Sequence, residues 1–150
     1  MTNLSTSGIA KADVELLSNF RHQLRTFLSS SEMICRAYDL TPLQYQLLLH
    51  IRGVSTEDEL LISELASRLQ ITRSGIVTLV DRCARLGLVE RFSNTCEGGK
   101  VSVRLLPKGL QLIDLLASLH NQEFQLLREI FTLPECAKFC TSPVCWKSTD

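Results

Sequence analysis

The apolar positions of this chain change period along its length, and the changes mark out its elements. Between Ile9 and Ala37, Val14, Leu17, Phe20, Leu24, Phe27 and Leu28 recur at helical spacing. A second helix opens at Thr41-Pro42-Leu43-Gln44. Thr41 can cap it, proline suits the first helical position, and Gln44 completes a capping box. Tyr45, Leu48, Leu49 and Ile51 make its apolar side, and Gly53 is the expected stop. An acidic loop follows. Leu60-Leu61-Ile62 is then a run long enough for one small strand.

From Ile62 to Leu105 the pattern reads helix, turn, helix, strand, loop, strand. Leu65, Ala66 and Leu69 face the core from the first helix, and Gln70-Ile71 makes the turn with Ile71 buried. Thr72 caps the second helix. Ile76, Leu79, Val80 and Cys83 form its apolar stripe, and Gly87 ends it where a left-handed residue is needed. Leu88 to Phe92 reads as a strand. Val101, Val103 and Leu105 alternate with Ser102 and Arg104, which predicts a strand buried on one face and solvated on the other. From Pro107 to about Phe131 a long helix is apolar on more than one side. The fold class expected is mainly α with a small antiparallel β-wing. A winged helix-turn-helix at 41–105 lies between long helices at 9–37 and 107–131, and a cysteine-containing tail fills 132–150 of a single domain.

Composition narrows the classes. The chain is 45% apolar and 21% charged, ordinary usage for a globular domain. No apolar run reaches membrane-spanning length, and the N-terminus lacks a secretory pattern, so a cytoplasmic protein is expected. The net charge is zero, which alone argues mildly against a nucleic-acid partner. Its distribution argues the other way. From Arg73 to Arg104 there are six basic residues (Arg73, Arg82, Arg85, Arg91, Lys100, Arg104) against three acidic ones (Asp81, Glu90, Glu97), an excess of three positive charges.

A helix that enters the major groove needs an apolar face, small or polar residues near its start, and basic residues for phosphate or guanine. The second helix of the pair has all three. Thr72, Arg73, Ser74, Gly75, Val77, Thr78, Arg82 and Arg85 are the candidate DNA contacts, with Arg73 placed for bases and Thr72 and Ser74 for phosphates. Lys100, and with it Arg91, is the candidate on the wing.

The segments LTPLQYQLLLHIRG, ISELASRLQITRSGIVTLVDRCARLGLVER and VRLLPKG resemble the MarR family of bacterial transcriptional regulators in order and spacing, over roughly Val14 to Phe131. The resemblance implies an obligate homodimer built from the first and last long helices and bound to a pseudo-palindromic operator. It implies repression or activation relieved by a small, often aromatic ligand or by thiol oxidation. Departures are visible too. The family's Asp-Arg-Arg-like wing sequence corresponds to Glu97-Gly98-Gly99, two capping threonines appear as Leu61 and Leu106, and Cys83 stands where leucine is more usual.

The family's ligand pocket lies between the dimer helices and the winged unit. Phe20, His22, Arg25, Tyr45 and His50 are the candidates to line it. The six cysteines carry no secretion signal with them and are expected as free thiols. Cys35, Cys96, Cys136, Cys140 and Cys145 are the candidate sensors. The last three form C-x3-C-x4-C, looser than the usual zinc pairs and one ligand short of a closed site. No cofactor is expected and no metal site is assigned, but a regulator switched by thiol or metal chemistry stays open; no nucleophile–base spacing or phosphate loop points to an enzyme. The leading expectation is therefore a homodimeric DNA-binding regulator whose partners are duplex DNA, its own second copy and an effector. The alternative is a winged-helix protein-interaction module that has lost DNA binding.

Overall fold

The computed structural model describes residues 9–94 and 98–130. In chain order the elements are α1 (Lys11–Ala37), α2 (Pro42–Val54), β1 (Glu59–Leu61), α3 (Ile62–Leu69), α4 (Arg73–Arg85), β2 (Val89–Asn94), β3 (Lys100–Leu105) and α5 (Pro107–Ile130). The capping box forms as expected: Gln44 N donates to Thr41 Oγ1 at 3.2 Å, and Thr41 N donates to Gln44 Oε1 at 2.8 Å. Gly53 does not stop α2, which runs on to Val54. Leu61 opens α3 without a side-chain cap.

Three helices end in the same way. After α1, α3 and α4 a residue turns left-handed: Asp39 (φ 57), Gln70 (φ 53) and Gly87 (φ 71). At each, paired backbone bonds close the last turn, as where Gly87 N reaches Ala84 O and Leu88 N reaches Cys83 O. This satisfies carbonyls the helix leaves open and reverses the chain within two residues.

The sheet is antiparallel in the order β1-β3-β2. The short strand read at Leu60 is thus real, and it makes β3 the middle strand. The alternation expected for β3 holds over Val103, Arg104 and Leu105 but fails at Val101 and Ser102. Ser102 lies between Leu61 and Phe92 in register and is buried, whereas Val101, near the hairpin tip, is 37% exposed. Ile71, expected to be buried, is half-buried.

The core draws on every helix. Leu47, Leu48 and Ile51 of α2, Leu65 of α3, Ile76 and Val80 of α4, Val103 of β3, and Ile113 and Leu116 of α5 are buried together. Arg52 joins the same elements at the surface. Its Nε donates to Asp114 of α5 at 2.9 Å and its Nη1 to Asp58, just before β1, at 3.0 Å.

Burial, and after it the positive charge of Arg68, lowers the pKa of His50 from its ordinary 6.5. The unfolded chain therefore takes up this proton at a higher pH than the folded one. The stability it contributes is complete above the unfolded value and is lost as the pH falls through the folded one. Urea midpoints taken near pH 7 and near pH 5 are expected to drop in the wild type and to drop less in His50→Gln. Equal drops would remove His50 as the cause.

Candidate nucleic-acid interface

Helix α4 is held by one face. Ile76, Val80 and Cys83 are fully buried and Leu79 nearly so. At about 2 kcal/mol for each buried aliphatic chain, packing rather than helix propensity fixes α4. The Thr72 hydroxyl accepts from Gly75 N at 3.2 Å and lies 3.2 Å from Ser74 Oγ. Thr78 donates to Ser74 O at 3.1 Å. A Cβ at Gly75 would stand 3.2 Å from that Thr72 oxygen, so the sharp first turn favours glycine. Thr72 and Thr78 are thus partly engaged within the helix, Ser74 is exposed, and Val77 is half-buried against the core.

Ion pairs sort the basic residues into two groups. Arg91 of β2 donates to Asp81 of α4 at 2.9 Å. Arg104 of β3 donates to Glu90 at 3.1 Å and lies 4.5 Å above the Phe92 ring. These two cations serve the protein's own frame. Arg73, Arg82 and Lys100 are exposed and have no side-chain partner among the described residues, and Arg85 touches only the Asp81 carbonyl, at 3.4 Å. The charge left for an outside partner is therefore concentrated on α4, with one lysine at the base of the wing.

Two clefts flank this helix. One, of about 510 Å³, is lined by Asp81, Ala84 and Arg85. The other, of about 340 Å³, lies between the start of α2 and the first half of α4 and is lined by Leu43, Thr72, Ser74, Gly75, Thr78, Leu79 and Arg82. Leu43 follows the proline that opens α2, and nothing local in the sequence marks it as lining a cleft.

The five effector candidates do not share one face. Phe20, His22 and Arg25 are exposed on α1, and Phe20 and His22 are about 160° apart around it. Tyr45 is buried and stacks on His120 at 4.2 Å between ring centroids. His50 sits about 140° from Tyr45 around α2, on the side of Arg68. The structure instead gathers a cluster at the junction of α1, α2 and α5. His120 Nδ1 lies 2.7 Å from Leu116 O, and its Nε2 lies 2.7 Å from Ser31 Oγ. A carbonyl only accepts, so Nδ1 donates to Leu116, and in that tautomer Nε2 accepts a hydrogen bond from the Ser31 hydroxyl. The signal was present: Ile113, Leu116 and His120 lie three and four residues apart, on the buried side of α5.

Cys35 and Cys83 are fully buried. Desolvation raises both thiols, Cys83 to about 11. Burial, with Cys35 beside it, raises the Tyr45 phenol to about 12. Cys96, Cys136, Cys140 and Cys145 lie outside the described residues, as do Glu97 and the tail. With those four cysteines changed to serine, the two remaining thiols are expected to react with a water-soluble disulfide reagent at least about tenfold more slowly in native protein than in denaturant. Rapid native labelling would show that one of them is reachable.

Residues 38–95 match the model of the MarR family. An HTH-type transcriptional regulator of Bacillus subtilis, YsmB, is 26% identical over 128 residues, covering 85% of this chain and 84% of that protein. A MarR family protein from Bacillus stearothermophilus is 26% identical, with a TM-score of 0.69 over 88% of this chain and 91% of its own. Sco3205 of Streptomyces coelicolor, a MarR family transcriptional regulator solved in complex with DNA, is 19% identical, with a TM-score of 0.72 over 92% of this chain and 86% of its own. The matched winged segment, together with relatives and solved structures covered over most of their length, makes this chain similar to the MarR family of winged helix-turn-helix proteins.

Proposed function

We propose that this chain is a MarR-family transcriptional regulator that binds a pseudo-palindromic DNA operator as a homodimer, with α4 in the major groove and Lys100 of the wing on the backbone. The observation that carries the reading is the division of cations: carboxylates neutralise Arg91 and Arg104, while Arg73, Arg82 and Lys100 are left without partners among the described residues. The DNA complex of Sco3205, which has the same fold, supports it. Selection of duplexes from a random pool is expected to enrich an inverted repeat. Its affinity should fall steeply between about 50 and 200 mM salt. No shift at the lower salt would overturn the reading in favour of a protein-interaction module.

The dimer reading rests on α1 and α5. Val14, Leu17, Leu24 and Leu28 of α1 are 42–55% exposed, and so are Leu115 and Phe124 of α5, at 45% and 50%. That is far more apolar surface than a solvated helix needs, and a second copy would cover it. Leu17→Ala is expected to raise the dimer dissociation constant about tenfold by sedimentation equilibrium, since each dimer loses two buried side chains. An unchanged constant would place the interface elsewhere. For the effector, a small apolar or aromatic molecule is favoured over oxidation at Cys35, because that thiol is buried and its pKa raised.

A further inference from the structure

Leu43 is the unexplained side chain beside the recognition helix. It keeps 37% of its surface exposed, although Gln44, Tyr45, Leu47 and Leu48 next to it are all buried. It cannot easily turn away. Pro42 and the reciprocal Thr41–Gln44 bonds fix the first turn of α2, which holds Leu43 at the wall of the 340 Å³ cleft. The opposite wall is the start of α4, with Ser74 exposed and Arg82 unpartnered among the described residues. The cleft is therefore continuous with the proposed DNA-reading surface: one wall offers a hydroxyl and a cation, and the other offers only hydrocarbon.

That pairing suits one strand of duplex DNA. When a helix lies in the major groove, a sugar–phosphate strand runs past its flank. The phosphates need donors and charge, while the deoxyribose between them presents C–H surface. Resting on the DNA-binding reading above, we propose that Leu43 is a DNA-contacting residue that packs on the deoxyribose of one strand, whose adjacent phosphates meet Ser74 and Arg82. A contact of this kind carries no sequence information and no charge.

These two properties define the test. Binding is followed by fluorescence anisotropy, across a salt series, on a duplex of about thirty base pairs selected by the wild type and on a scrambled duplex of the same length. Leu43→Ala is expected to weaken both about fivefold for each bound subunit, the effect of uncovering roughly 40 Å² of apolar surface on each. The slope of log affinity against log salt should stay at its wild-type value. Arg82→Ala should make the slope shallower by about 0.9 for each charge lost. Leu43→Met, which keeps the hydrocarbon, should bind within about twofold of the wild type. An unchanged affinity for Leu43→Ala overturns the proposal. So does a loss confined to the selected duplex, which would make Leu43 a reader of bases, and so does a loss matched by a fall in Tm. If Arg73→Ala and Arg82→Ala bind as tightly as the wild type, the DNA-binding reading fails first, and Leu43 with it.

Discussion

Alanine at position 109 is expected to destabilise the fold by about 3 kcal/mol, the upper end of what overpacking a close contact costs. Gly109 lies in the first turn of α5 and is buried. A Cβ there would stand 2.1 Å from the carbonyl oxygen of Leu88 and 3.0 Å from its carbon. Both belong to backbone, and the same oxygen already accepts from Leu106 N at 3.0 Å. No rotamer change can make room, so α5 must back away from the link between α4 and β2. Alanine's better helix propensity returns only about 1 kcal/mol. A fall in Tm of roughly 10 °C should follow. Gly53 is the internal control. It lies within α2, and a Cβ there would meet nothing within 4 Å, so Gly53→Ala should be neutral or stabilising. If the two variants melt alike, the close approach at Leu88 is not what the geometry makes it.

Arg73→Ala is expected to weaken operator binding by about 2 kcal/mol per half-site, roughly thirtyfold for each bound subunit, and to relax the preference at one base position. Arg73 is exposed at the first position of α4, and its guanidinium is uncommitted among the described residues. Lys100→Ala should cost less than about fivefold for each bound subunit, uniformly over sequences, and make the salt slope shallower by about one for each lysine lost. Lys100 opens β3 directly after Gly98 (φ 71) and Gly99 (φ 76). Restoring an arginine at either glycine would meet a backbone strain of about 1 kcal/mol or more, so the wing cannot easily regain its reach. Gel shifts with both variants on one operator decide the matter, and equal losses would give the wing the same weight as the helix.

What was legible in the sequence was whatever a local pattern encodes. The Thr41–Gln44 capping box, the Ile76–Cys83 stripe and the Gly87 turn each lie within eight residues and follow directly from helix geometry. The other two left-handed helix ends were not legible. Asp39 and Gln70 adopt a conformation that glycine would have announced, and the backbone bonds that close each helix end hold them there. Burial of Ser102 depended on β1 pairing from about forty residues upstream. The site divides the same way. The polar start and apolar face of α4 could be read directly. The withdrawal of Arg91 and Arg104 from the positive surface could not, because their carboxylates lie ten and fourteen residues away along the chain. The contacts of His120 were not legible either, since its partners Ser31 and Tyr45 come from α1 and α2.

The Arg52 fork has a consequence for how any titration of this protein with salt is read. One guanidinium, exposed to solvent, ties α5 to the turn before β1 through Asp114 and Asp58. Ions that lower the gain from releasing a DNA partner's counterions also screen this tie. Ionic strength thus acts on the protein's internal alignment as well as on its charges toward a ligand. The raw steepness of such a curve mixes the two effects. Only the difference between variants that share the fork reports the ligand side alone.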